Sequence, residues 1–115
     1  MENKIEIVQG EGRVLYLGIN EDNGSPYDLS TATAIRVMFR NIDGTYTNLT
    51  MATGAIAILG DAHRGEITAT ITAAQSALLA VCDSADFQGD VTLGTSAPRR
   101  IIWEGILTVV QQKGV

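Results

Sequence analysis

Apolar and polar residues alternate along most of this chain. Ile5 and Ile7 alternate with Lys4 and Glu6. Ile35, Val37 and Phe39 alternate with Arg36, Met38 and Arg40, and Ile67, Ala69 and Ile71 with Glu66, Thr68, Thr70 and Thr72. A period of two turns one set toward a core and the other outward. The β-branched and Thr-rich content suits strands. Two stretches are richer. Residues 14–19 form an apolar run broken only by Gly18, and residues 101–110 carry apolar residues at both parities apart from Glu104 and Thr108. A strand with one wet face does not carry that pattern. The last strand is therefore expected to be covered on both sides or to meet another chain. The pattern predicts strands over 5–8, 14–20, 34–41, 46–51, 55–58, 66–72, 90–93 and 101–111.

Turn residues fall between these runs. Asp22-Asn23-Gly24-Ser25-Pro26 is a turn cluster, and Asp43-Gly44 predicts a hairpin. Further loops are expected at 60–65, 83–86 and 94–98. Thr72-Ala73-Ala74-Gln75 fits a capping box and predicts one or two helical turns, with Leu78 and Leu79 on one side. Short turns at this spacing predict an all-β, antiparallel sandwich of seven or eight strands with one short helix. The whole chain, 1–115, reads as one domain with a core over about 5–111. Its first residues could swing out to pair with a neighbour's sheet edge.

Composition narrows the function classes. The 115 residues carry a net charge of −5, which argues against a generic binder of nucleic acid or anionic membrane. One cysteine makes no internal disulfide, and Cys82 with His63 cannot supply four zinc ligands. No apolar stretch nears the roughly 20 residues of a membrane span. Residues 1–9 lack the apolar centre of a signal peptide, so the chain is expected to be cytosolic when made.

Candidate chemistry is sparse. His63, in Gly60-Asp61-Ala62-His63-Arg64-Gly65, could act as a general base but reads better as a solvated turn residue. Cys82 is followed by Asp83 and Asp86, which oppose a reactive thiolate, so it reads as a small buried hydrophobe. Glu21-Asp22-Asn23-Gly24 lacks the spaced ligands of a calcium loop and reads as a turn. The glycines form no phosphate cradle. These observations predict a non-enzyme with no cofactor, no metal and no small-molecule substrate.

The order of segments resembles a known family. Gly24-Ser25-Pro26-Tyr27-Asp28-Leu29-Ser30 follows the second strand. The stretch from Gly65-Glu66-Ile67 to Leu78 runs through a threonine-led helical turn, and Gly105-Ile106-Leu107-Thr108-Val109 closes the chain. This resembles the immunoglobulin-like β-sandwich virion proteins of tailed bacteriophages, in particular the N-terminal domain of phage baseplate upper proteins. It departs from that family at Val91, where an aromatic would be expected. The resemblance implies a structural protein of a phage particle (baseplate, tail, neck or capsid-associated), located in the virion after synthesis in the bacterial cytoplasm. Its partners would be other virion proteins and copies of itself. Met38, Ile102, Ile106 and Val110 are the expected outward apolar contacts if odd positions of the last strand face the core. Arg99 and Arg100 would be their charged neighbours, and Trp103 core or anchor. The alternative is a carbohydrate- or host-surface-binding module, with Tyr27, Tyr46 and Phe87 in or near loops. Against it stands an aromatic content of 5 %.

Overall fold

The two longest strands, β7 (Cys82–Leu93) and β8 (Arg99–Val110), form the antiparallel centre of the molecule. The structure is a computed structural model that describes residues 3–21, 24–96 and 98–111. Around that pair lie β1 (Asn3–Val8), β3 (Ala32–Arg40) and β4 (Tyr46–Thr50), giving a sheet of order β1-β8-β7-β3-β4. A second sheet, β2-β6-β5, contains β2 (Arg13–Gly18), β6 (Glu66–Ile71) and β5 (Ile56–Ile58). With β2, β6 and β5 as strands B, E and D, and β3, β7 and β8 as C, F and G, this is an immunoglobulin-like sandwich. Among the described residues the fold is all-β, with one short helix, α1 (Ala73–Ala77), and a 3-10 turn at Ala62–Arg64.

Alternation builds the core as the sequence suggests. Leu15, Leu17 and Ile19 point inward from β2 and its extension, while Val14 and Tyr16 are exposed. Ile35, Val37 and Phe39 face them from β3, and Trp103, Leu107 and Val109 from β8. Each such buried side chain contributes about 1.5–3 kcal/mol of apolar burial.

The inner side of β7–β8 is packed by complementary shapes. Gly89 stands opposite Trp103, and Phe87 opposite Gly105. A Cβ on Gly89 would run into the Trp103 indole, and one on Gly105 into the Phe87 ring. Each strand thus gives up a side chain where its partner places a ring. Phe39, Phe87 and Trp103 then form a chain of rings, with centroids 5.3 and 5.9 Å apart. The second contact is edge-to-face, a favoured arrangement for aromatic pairs.

The structure corrects four expectations. The sheets are not wholly antiparallel: β1 pairs with β8 in parallel, with Lys4 opposite Ile106 and Val8 opposite Val110. First and last strands are not joined by a tight turn, so nothing local imposes antiparallel pairing. Asn3 and Lys4 are therefore paired within their own chain. The Asn3 amide also bonds Gly18 in both directions, at 2.8 and 2.9 Å, tying β1 to the second sheet. β7 begins at Cys82, not at residue 90. Its polar start hides the strand, and a register shift between Cys82 and Ala85, with Ser84 at φ 56°, absorbs the irregularity. Leu78 and Leu79 diverge, the first exposed and the second fully buried, because Leu78 caps the helix while Leu79 leaves it to bridge with Asn41. Cys82 is only half-buried, its thiol donating to the Leu107 carbonyl at 3.4 Å. The capping box is present as expected, with Thr72 Oγ1 accepting from Gln75 and Gln75 Oε1 from Thr72.

Candidate interaction surfaces

Cross-strand register places side chains on the outer face of the five-stranded sheet in rows. Residues directly opposite one another share a face. One row reads Arg36–Asp90–Ile102, the next Met38–Gln88–Glu104, and Asp86 stands opposite Ile106. Arg40 lies opposite Tyr46 at the sheet's far side. Among the described residues, the charged side chains on this face are Lys4, Arg36, Arg40 and Arg100 against Glu6, Asp86, Asp90 and Glu104. Their charges balance, although the chain as a whole carries −5.

The rows differ in how their polar groups are used. Asp90 Oδ2 accepts from Arg36 at 2.6 Å and from Arg100 at 2.7 Å, so one carboxylate links β3, β7 and β8. Its side chain is only 10 % exposed. Burial pushes the Asp90 carboxyl up, but the hydrogen bonds from Arg100 and Arg36 outweigh it and hold the pKa below the ordinary value. The neighbouring rows form no such cluster. A shallow hollow of about 310 Å³ opens over Met38, Arg40, Tyr46, Asp86, Gln88 and Glu104. The side chains of Arg40, Tyr46, Asp86, Gln88 and Glu104 have no hydrogen-bond or ion-pair partner among the described residues.

The residues singled out from the sequence distribute unevenly. Ile102 is exposed, at 55 %, beside the Arg36–Asp90–Arg100 cluster. Met38, Ile106 and Val110 point outward but are half-buried among their neighbours. Arg99 is exposed at the start of β8, on the parity opposite to Arg100. Trp103 is 8 % exposed and lies inside, its ring against Gly89, so it belongs to the core and not to this face. Its buried indole Nε1 has no hydrogen-bond partner among the described residues.

A second surface escapes the sequence reading. Ile42, Leu78 and Val81 are 68 %, 57 % and 58 % exposed. Ile42 lies in the turn between β3 and β4, and the other two between α1 and β7. The Ile42 amide donates to the Leu78 carbonyl at 2.9 Å, and the Ala80 amide to Arg40, which joins the two segments at one end of the sandwich. Ile42 and Val81 also line a hollow of about 350 Å³ with Ala80, Cys82 and Leu107. The three come from two connections far apart in sequence, so no periodicity marks them.

His63 ends in an exposed turn. Its Nδ1 lies 2.9 Å from Asp61 and its Nε2 3.5 Å from Asp28. The hydrogen bond to Asp61 is the largest cause of its raised pKa, with the charge of Asp28 second. Both ring nitrogens thus face carboxylates. Phe87 is buried and Tyr27 half-buried against the core, which leaves Tyr46 as the exposed ring of the three. Glu21 and Gly24 close a turn through a 2.8 Å hydrogen bond, while Asp22 and Asn23 lie outside the described residues. Among the described residues, no group of three His, Cys, Asp or Glu side chains could hold a metal ion.

No protein-family model matches the chain, and no curated protein matches its sequence. Among solved structures it is similar to murine CRIg, with a TM-score of 0.47 at 11 % identity, covering 96 % of this chain and 92 % of that one. It is also similar to Tim-2, with a TM-score of 0.41 at 12 % identity, covering 96 % of this chain and 94 % of that one.

Proposed function

We propose that this chain is a non-enzymatic structural protein of a tailed phage particle that works through protein–protein contacts with other virion proteins and copies of itself. The observation that carries the contact role is the apolar end formed by Ile42, Leu78 and Val81. Exposed apolar groups held together by backbone hydrogen bonds favour burial against a partner. Ile102 adds a second apolar point on the charge-balanced sheet face. Repetition in a symmetric assembly raises effective concentration, so modest contacts suffice. The particle context is supported by the resemblance of the segments from Gly24, Gly65 and Gly105 to phage sandwich proteins.

Mass spectrometry of purified virus particles from the source, intact and gently disassembled, tests the reading. It should find the chain at a fixed stoichiometry in one subassembly. A Leu78→Asp variant should fold but fail to incorporate. Absence of the wild-type chain from particles would overturn the particle assignment.

A further inference from the structure

The partnerless polar hollow around Tyr46 differs from the Arg36–Asp90–Arg100 cluster beside it. In that cluster the charges satisfy one another. In the hollow, Arg40, Asp86, Gln88, Glu104 and the Tyr46 hydroxyl converge on one space with every side-chain donor and acceptor unspent among the described residues. Its volume of about 310 Å³ is at the small end of ligand sites, which run about 300–1,000 Å³. Tyr46 is 58 % exposed and offers a flat ring, with half-buried Met38 nearby as apolar floor.

We propose that this hollow is a binding site for a neutral saccharide unit. The chemistry of the lining selects the ligand. Asp86 and Glu104 only accept hydrogen bonds, Arg40 only donates, and Gln88 does both. A ligand that satisfies all four must bring donors and acceptors closely interspersed, as hydroxyl groups do. Tyr46 and Met38 require in addition an apolar face, which the C–H side of a pyranose ring supplies. A cationic side chain would suit the two carboxylates and the ring but has no acceptor for Arg40 or Gln88. An anion would meet two carboxylates against one guanidinium. The site needs neither the particle context nor the apolar end, so it stands or falls separately from the proposed function.

The test uses the full chain labelled with 15N and titrated by NMR with methyl glycosides of glucose, galactose, mannose and N-acetylglucosamine, and with maltose and cellobiose. Acetyl-lysine amide and sialic acid serve as the cationic and anionic probes. At least one neutral saccharide should bind saturably at millimolar concentration, shifting amides of Met38, Tyr46, Gln88 and Glu104. Tyr46→Ala and Glu104→Gln should each weaken that binding about tenfold or more, a change of about 1.4 kcal/mol. Tyr16→Ala, on the other sheet, should leave it unchanged. The proposal is overturned by the absence of saturable binding across the neutral panel, by tighter binding of either charged probe, or by binding that survives Tyr46→Ala.

Discussion

The two sides of the β7–β8 pair are built on different physics. Inside, Gly89 with Trp103 and Phe87 with Gly105 fit by shape, and no other residue fits at either glycine without movement. Outside, Asp90 opposite Ile102 and Gln88 opposite Glu104 sit where shape demands little. There the arrangement follows charge, and it does so unevenly: Asp90 is clamped by two arginines while the side chains of Gln88 and Glu104 bond nothing among the described residues. The comparison teaches that one strand pair can carry stability on one side and leave the other free for recognition.

The largest effect should come from emptying the inner side. Trp103→Ala removes the ring that fills the space over Gly89 and ends the aromatic chain, and should cost about 3–5 kcal/mol in denaturant unfolding. A cost below 1 kcal/mol would mean that the core collapses around the gap and that shape does not govern this side. Gly89→Ala probes the same fit from the other strand. Its methyl group must displace an indole, and should cost about 1–3 kcal/mol. The double variant Gly89→Ala, Trp103→Ala should cost less than the two single costs added together, because the added methyl then has room.

Much of this inner side is legible in the sequence. Alternation fixes which residues of β3, β6 and β8 face inward, and Thr72 and Gln75 announce the helical turn. The parallel β1–β8 pairing is not legible, because strands far apart in sequence carry no turn signal. The first half of β7 is hidden because Asp83, Ser84 and Asp86 read as loop, and its pairing is dictated by β8. Of the candidate contacts, Ile102 can be placed outward by parity alone. The hollow around Tyr46 draws on β3, β4, β7 and β8, so it exists only after folding. The apolar end likewise depends on a hydrogen bond between Ile42 and Leu78 that no local pattern foretells.

The clamped part of the outer side should show an intermediate effect with a pH signature. Asp90→Ala leaves Arg36 and Arg100 close together without their shared acceptor. Both guanidiniums are partly exposed and therefore screened, so the cost should be about 1–2 kcal/mol at neutral pH. The Asp90 pKa is lower in the folded chain than unfolded, so its contribution is present above the unfolded value. It is lost as pH falls through the folded one. The wild-type and Asp90→Ala stability curves should therefore converge at acid pH. Parallel curves would show that the clamp acts by packing instead of charge.

The smallest effect belongs to the unclamped part. Glu104→Gln keeps the side chain's size and removes only a charge that contacts no partner among the described residues, so unfolding free energy should change by less than about 0.5 kcal/mol. Arg40→Gln should behave alike. A loss above 1 kcal/mol from either would mean that the lower rows are held as Asp90 is, and the division between a fastened half and an open half of this face would fail. Near-neutral stability together with weakened saccharide binding in Glu104→Gln would instead separate the two roles on a single face. Asp90 would then hold the strands in place, and Glu104, two rungs of the pleat away on β8, would use the surface so held.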